Sequence, residues 1–380
     1  MSANGHGNGN GNGNGNGHGN GHAKPRGAGE LWPLVRMPLT PRVAVVGLGY
    51  WGPNLVRNLH EVPDAELSAV CDMRQEALDA IARRYPAVAT TTSFDEVVGD
   101  PSIDAIALAT PVSTHYPLAV KALDAGKHVF IEKPLAASSE EALDLLERAR
   151  ERDLVLMPGH TFLYSPPVNT IRELIASGEI GEIYFISTSR VNLGLHQSDV
   201  SVAWDLGPHD FSILRYWLGE TPRHVSALSR SCVIPNTPDV AFINLEFPSG
   251  TIAHVELSWL APSKLRRTTI VGSQKMIVYD DTSNEPVRVF DRGVDLPNPE
   301  TFGEYRLSYR TGDIVSPNVP AAEPLFLELG DFCSAIRSRQ TPRSSAEIGV
   351  DVVRIIESVD ASLAAAGARV EVGEPAAGFS

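Results

Sequence analysis

The feature that most constrains this chain is the stretch Arg42-Val-Ala-Val-Val-Gly-Leu-Gly-Tyr-Trp-Gly52. An apolar run, Val43 to Val46, breaks into Gly47, Gly49 and Gly52, and helix-forming sequence follows from Pro53 to Leu59. The pattern predicts a buried parallel strand, a tight turn, and a helix whose N-terminus faces an anion. The first glycine permits the turn, the second lets backbone approach a pyrophosphate, and the third lets the helix pack on the strand. A glycine turn by itself can be a bend without a ligand, but a second apolar strand follows here. Leu67 to Cys71 ends in Asp72, twenty residues beyond Gly52, where a carboxylate can accept from a ribose 2′-hydroxyl. Asp72 would repel a 2′-phosphate, so NAD is expected over NADP. Arg74 is close enough to soften that preference, which leaves NADP open.

With 380 residues, 43% hydrophobic and 21% charged, the chain suits two ordinary globular domains. A formal net charge of −14 argues against nucleic acid and anionic membrane as partners. An anionic cofactor must then be met locally, by helix N-termini and a few Lys or Arg side chains. Three cysteines (Cys71, Cys232, Cys333) are far apart and lack metal spacing, which points to a reducing compartment. No apolar run reaches the roughly 18–20 residues of a membrane span, and the N-terminus has no hydrophobic signal core. A cytoplasmic protein is expected.

Residues 1–40 are dominated by Gly-Asn alternation and should be a disordered tail, with His6, His18 and His22 solvated rather than metal-binding. From Arg42 a βαβ rhythm sets in. Helical sequence at Arg74–Tyr85 leads to a short strand, Val88–Thr91, and a helix capped by Ser93. A fourth strand, Ile103–Ala109, ends in Thr110-Pro111-Val-Ser-Thr-His115, with a helix from Pro117 to Ala125. Strand five, His128–Ile131, runs into Glu132-Lys133-Pro134. A helix starting at Ser138-Ser139-Glu140-Glu141 precedes strand six, Leu154–Met157. Such alternation implies a doubly wound parallel sheet, its ligand at the carboxyl ends of the strands. The Rossmann domain is therefore expected over 41–160.

Beyond residue 160 the texture changes to a helix (Val168–Ser177), a strand (Ile183–Arg190), a polar loop, and a helix closed by Gly219. Strand-like runs at 223–232, 239–247, 251–259, 267–272 and 275–280 follow, with a hairpin signal at Pro248-Ser249-Gly250. Strands in succession predict an open, mainly antiparallel sheet. Two helices, about 323–337 and 345–366, close the chain. An α+β substrate and oligomerisation domain is expected over 161–370, then a C-terminal tail over 371–380. A second subunit would cover the free sheet face, giving a homodimer or homotetramer.

Two features carry chemistry. Pro134 restricts Lys133 to extended geometry, aiming its amine across the crevice. Near a cationic nicotinamide, and partly desolvated, that amine would have a lowered pKa suited to proton transfer. In Trp204-Asp205-Leu-Gly-Pro-His209-Asp210, Pro208 is tolerated only in a first turn, so a helix should begin near Ala203 to Asp205. Asp205 and His209 then stand four apart, where a carboxylate can orient an imidazole and raise its basicity. Simple helix capping is the competing reading. A base beside a hydride acceptor is what oxidation of a secondary alcohol requires. No metal cluster and no Ser or Cys nucleophile elbow is found in the sequence.

These motifs, in this order over about residues 41–370, resemble the Gfo/Idh/MocA oxidoreductases: Val-Val-Gly-Leu-Gly-Tyr-Trp-Gly, Ala-Thr-Pro-x3-His, Val-Phe-Ile-Glu-Lys-Pro-Leu, Asp-x3-His, and a closing helix with Glu357-Ser358. The resemblance implies a Rossmann domain, an α+β domain whose sheet faces form oligomers, and a catalytic set matching Lys133, Asp205 and His209. It implies cofactor contacts at Gly47, Gly49, Gly52, Asp72, Thr110, His115, Glu132 and Lys133, with Tyr50, Trp51 and Pro111 in the same motifs. Gly159-His160-Thr-Phe-Leu-Tyr164 resembles part of a substrate wall, with Arg190, Asn192 and Trp204. Arg190 could equally pair with a neighbouring Glu. The 193–202 loop resembles members acting on nucleotide-linked or amino sugars, such as C3 dehydrogenases and ketoreductases. Inositol or free-sugar dehydrogenation, glycoside cleavage through transient oxidation, and a non-catalytic cofactor-binding regulator are the alternatives.

Overall fold

The structure, a computed structural model, describes residues 40–194, 196, 200–295 and 308–373. The Gly/Asn-rich stretch 1–39, part of the 193–202 loop, and residues 374–380 lie outside the described residues. The first sheet holds β1 (Arg42–Val46), β2 (Glu66–Cys71), β3 (Ala89–Thr91), β4 (Ala105–Leu108), β5 (His128–Glu132) and β6 (Leu156–Gly159). All neighbours pair in parallel, in the order β3-β2-β1-β4-β5-β6. The order reverses between β1 and β4, which opens a crevice at their carboxyl ends. Val43, Ala44, Val45 and all of β4 are inaccessible to solvent. A strand covered on both faces needs a continuous apolar run rather than alternation, and the sequence supplies one.

Five helices cover this sheet: α1 (Gly52–Glu61), α2 (Gln75–Arg84), α3 (Phe94–Gly99), α4 (Val112–Asp124) and α5 (Ser139–Glu151). Ser93 Oγ accepts from the Glu96 amide at 3.4 Å and Ser138 Oγ from the Glu141 amide at 3.2 Å, as the capping signals predict. α4 starts five residues before Pro117, the start expected from the sequence. His115 explains the difference. Its ring nitrogens sit 2.9 Å from the carbonyl oxygens of both Pro134 and Thr110, so tertiary contacts wind the Val112-Ser-Thr-His115 turn ahead of the proline.

The second sheet contains β7 (Ile183–Leu193), β8 (His224–Arg230), β9 (Val240–Glu246), β10 (Ile252–Ser258), β11 (Leu260–Gly272), β12 (Met276–Asp280), β13 (Val287–Asp295), β14 (Ser308–Val315) and β15 (Val370–Glu371). Its order is β14-β13-β12-β11-β7-β10-β9-β8-β15. The sheet is mainly antiparallel, and the β9–β10 hairpin turns at Gly250, whose φ of 91° lies in the left-handed region. One pair, β7 with β10, is parallel, because α7 (Val202–Leu218) and two strands intervene between them. Strands β13, β14 and β15 were not expected from sequence. β14 is exposed or half-buried throughout and sits at an edge, so pairing rather than hydrophobic pattern defines it. β15 carries the fold past residue 370, and Val372 is buried.

Helix α7 begins at Val202, capped by Ser201, so Pro208 lies inside it rather than in its first turn. Helix α6 (Pro166–Ala176) follows a 3₁₀ turn at Thr161–Tyr164. The closing helices, α8 (Pro324–Ser338) and α9 (Ala346–Ala364), return to the first sheet. Phe332 of α8 meets Phe130 of β5 edge-on at 5.8 Å between ring centroids. Buried Asp351 of α9 accepts from Arg215 of α7 and from Thr221, both at 3.0 Å, which ties the two sheets' helices together. Among the described residues no helix is long and apolar enough to cross a membrane.

The tightest backbone approach lies at the start of α1, where a Cβ on Gly52 would run into the Gly47 carbonyl oxygen. Gly52→Ala is therefore expected to destabilise the fold by about 1–3 kcal/mol, the usual range for overpacking. Urea unfolding measures it, and an unchanged midpoint would contradict this packing.

Candidate active site

The glycine turn has the form a dinucleotide phosphate needs. Gly47 has φ of 91°, and a Cβ there would meet the Ala109 carbonyl oxygen at 2.6 Å. Gly49 has open space where a Cβ would stand, so a ligand can reach its backbone. The N-terminus of α1 carries no side-chain cap and no acidic residue in its first turn. Its partial positive charge is left for an anion. Tyr50 and Trp51 stand exposed on this turn, edge to face at 5.8 Å.

Asp72 lies at the end of β2, as expected, but its carboxylate is fully engaged. One oxygen accepts from the Leu48 amide at 2.6 Å and Arg74 Nη2 at 3.1 Å, the other from Arg74 N at 2.9 Å and Nε at 3.0 Å. The Arg74 hydrogen bond is the main reason its carboxyl is held down at about 2. A carboxylate has about four acceptor positions, so a ribose hydroxyl reaches this one by displacing part of Arg74. Thr110 and Pro111 form the neighbouring β4 tail, and Thr110 accepts from Thr114 Oγ1 at 2.8 Å. Buried His115 binds the carbonyls of Thr110 and Pro134, so it joins the β4 and β5 tails from below the crevice surface.

A cavity of about 570 Å³ has Trp51, Glu132, Lys133, Thr161, Phe162 and His209 in its wall. Lys133 Nζ donates to the Asp205 carbonyl oxygen at 2.8 Å and to its Oδ1 at 3.2 Å. Asp205 Oδ2 accepts from Trp259 Nε1 at 3.1 Å. The expected Asp205–His209 contact is therefore replaced: the carboxylate holds the lysine, and His209 Nδ1 is buried without a partner. The expectation that Asp205 would raise the basicity of His209 is overturned as well. Burial first, then the positive charges of Lys133 and Arg190, lower its proton affinity well below the ordinary value. His160 is buried, with neither ring nitrogen bonded, and burial takes it down to about 3.

Several residues expected in the substrate wall lie behind it or away from it. Arg190 is buried and pairs with Asp210, with Nε 2.5 Å from Oδ2, and its guanidinium stacks 4.6 Å from the centre of Phe162. It supports the cavity wall through Phe162, and its partner is an aspartate on α7. Tyr164 is buried, donating to Asp331 at 2.7 Å and accepting from the Ser344 amide at 3.0 Å. Trp204 turns to α9 and donates to Asp360 at 2.7 Å. Asn192 is half-buried on β7, outside the cavity lining. The 3₁₀ turn explains part of this, since it sends Thr161 and Phe162 into the cavity and Tyr164 into the core. Sequence reading missed Arg266 and Asp281, which line the cavity and pair at 3.2 Å. No local motif marks them, because β11 and the end of β12 bring them together only through sheet pairing.

Residues 41–160 match the Gfo/Idh/MocA oxidoreductase family with its NAD-binding Rossmann fold, and residues 168–278 match that family's C-terminal domain. The chain is 31% identical over 319 residues to scyllo-inositol 2-dehydrogenase (NAD(+)) of Bacillus subtilis, spanning 79% of this chain and 87% of that protein. It is 28% identical over 258 residues to UDP-N-acetylglucosamine 3-dehydrogenase of Acidithiobacillus ferrooxidans, covering 66% and 77% of the two. The crystal structure of GenD2 from gentamicin A biosynthesis, in complex with NAD, shares the fold, with a TM-score of 0.75, 24% identity, and coverage of 93% and 100%. With the glycine turn and the two-sheet architecture, these matches establish that the chain belongs to the Gfo/Idh/MocA family of NAD-binding oxidoreductases.

Proposed function

We propose that this protein transfers hydride between NAD and a secondary hydroxyl, or the corresponding ketone, on a sugar ring, and that the sugar is nucleotide-linked or amino-substituted. The observation that carries this reading is one cavity whose wall includes Trp51 of the glycine turn, Lys133 and His209. A relative that acts on UDP-N-acetylglucosamine supports the substituted sugar, and one that acts on scyllo-inositol supports a ring hydroxyl. NAD, when bound, supplies the hydride acceptor.

The chain's own residues handle the proton. Two N–H groups of Lys133 are held by Asp205, which leaves the third for the substrate oxygen. Asp205, itself anchored by Trp259, positions the lysine. His209 is kept neutral by burial and neighbouring cations, so it can take the hydroxyl proton during oxidation and return it during reduction. The Arg266–Asp281 pair offers a donor and an acceptor to adjacent ring substituents.

We also propose that the outer face of the second sheet seats a second copy of the chain. Phe185, Phe242 and Ile252 are exposed on β7, β9 and β10, and Phe242 stacks on His254. Phe242→Asp is expected to lower the mass in sedimentation equilibrium, and a wild-type monomer would overturn the assignment.

Challenging the protein and NAD with UDP- and dTDP-sugars, amino sugars, free sugars and inositols tests the reaction by NADH absorbance. Lys133→Met and His209→Asn should each lower kcat/KM by about 100-fold or more, the usual scale of general acid–base catalysis. Turnover near wild type in either variant would remove the proposed role.

The buried histidines also set a stability trend. His160 protonates near its ordinary value of about 6.5 when unfolded and only near 3 when folded. The unfolded state therefore binds more protons below about pH 6.5, and stability falls as pH drops from there toward 3. In urea melts at about pH 7 and pH 5, His160→Phe should reduce this loss by up to about one proton's worth of slope. An unchanged slope would mean that His160 titrates freely.

A further inference from the structure

Asp205 is committed to Lys133 and Trp259, so another group has to hold the ring of His209. His209 lines the cavity, and its Nδ1 is buried without a partner, which leaves Nε2 as the nitrogen a substrate can reach. A histidine base is commonly oriented by a hydrogen bond at its second nitrogen, which fixes both tautomer and ring plane. That bond is missing at Nδ1. What meets the imidazole instead is Phe162, with ring centroids 4.9 Å apart and planes inclined at 70°. Edge-to-face contacts are directional, because the positive edge of one ring seeks the negative face of the other.

Phe162 is held from several sides. It sits in the 3₁₀ turn Thr161–Tyr164, whose first residue donates to Glu328 at 2.6 Å and whose last donates to Asp331 at 2.7 Å. Between them, the Leu163 carbonyl oxygen accepts from Asn169 Nδ2 at 3.1 Å and from Arg343 Nη1 at 3.2 Å. The Arg190 guanidinium lies 4.6 Å from the centre of the Phe162 ring, and that of Arg266 lies 5.5 Å from it. Each cation is bound to its own aspartate, Asp210 or Asp281, which keeps it over the ring. An aliphatic side chain would fill the same space but offer no π face to the guanidiniums and no directional contact to the imidazole.

We propose that Phe162 is the positioning residue for His209: its edge-to-face contact, in place of a carboxylate hydrogen bond, fixes the imidazole plane so that Nε2 meets the substrate hydroxyl. The inference rests on the dehydrogenase reading of this cavity. Phe162 acts through His209 and takes no part in proton or hydride transfer itself. Arg190 and Arg266 act one step further back, by holding the phenyl ring.

The test compares wild type, Phe162→Leu and Phe162→Tyr on a sugar that the wild type oxidises. Leucine should lower kcat by about tenfold, since a misaimed base slows proton transfer, and should raise the solvent deuterium isotope effect on kcat. Tyrosine keeps the ring and should leave both close to wild type. Phe162→Met, whose flexible side chain fills irregular gaps, replaces leucine if that variant packs poorly. A loss confined to KM, with kcat and the isotope effect unmoved, would reduce Phe162 to a wall of the cavity. A second readout needs neither cofactor nor turnover: NMR of protein carrying labelled histidine, with the His209 ring signal assigned from its loss in His209→Asn. That signal should be single and sharp in wild type and in Phe162→Tyr, and broadened or split in Phe162→Leu. A sharp signal in the leucine variant overturns the positioning role. If the wild type oxidised no sugar or cyclitol, the dehydrogenase reading would fall, and the ring signal alone would decide whether Phe162 holds His209.

Discussion

The bond from the Lys133 ammonium to Asp205 is the interaction on which the site depends. It links the end of β5 in the first sheet to the first turn of α7, which packs on the second. Residues 72 positions apart thereby share one cavity wall. Both side chains are mostly withdrawn from water, at 13% and 21% exposure, so the pair is screened less than a surface ion pair. Trp259 holds the other carboxylate oxygen, which leaves Asp205 little freedom to turn toward His209.

The surrounding packing keeps that link in register. Asp351 joins α9 to α7, and Phe332 seats α8 on β5. A Cβ on Gly349 would meet Leu135 at 2.9 Å and Pro158 at 3.0 Å, so α9 lies close against the tails of β5 and β6. Arg190 and Asp210 form a second buried pair beside His209, and the guanidinium braces Phe162. Buried charges persist here because each has a partner, whereas the imidazoles, which have none, are driven to their neutral forms.

The chain carries a net charge of −14, yet its crevice presents local positive features. The uncapped start of α1 supplies partial positive charge, and Lys133 and Arg266 supply side-chain donors. Arg74 occupies the Asp72 carboxylate that the sequence assigns to a ribose hydroxyl. The acidic residue and its cation form one unit at this end of the crevice.

The first sheet was legible in the sequence because each of its signals is local. Apolar runs that end in glycine or a charged residue, and serines three residues before a free amide, need only a few neighbouring positions to act. For the same reason the Gly47–Gly52 turn, the Lys133 tail and the Asp205–His209 spacing could be read directly. Tertiary structure decided what no local pattern encodes: the parallel β7–β10 pair, the edge strand β14, and the meeting of Arg266 with Asp281. It also decided partners. Asp205 lies one helical turn from His209 but bonds to Lys133, because a partly buried carboxylate goes to the strongest available donor, and chain folding brings the ammonium there. Spacing along a helix determines which side chains can meet, and only the packed interior determines which of them do.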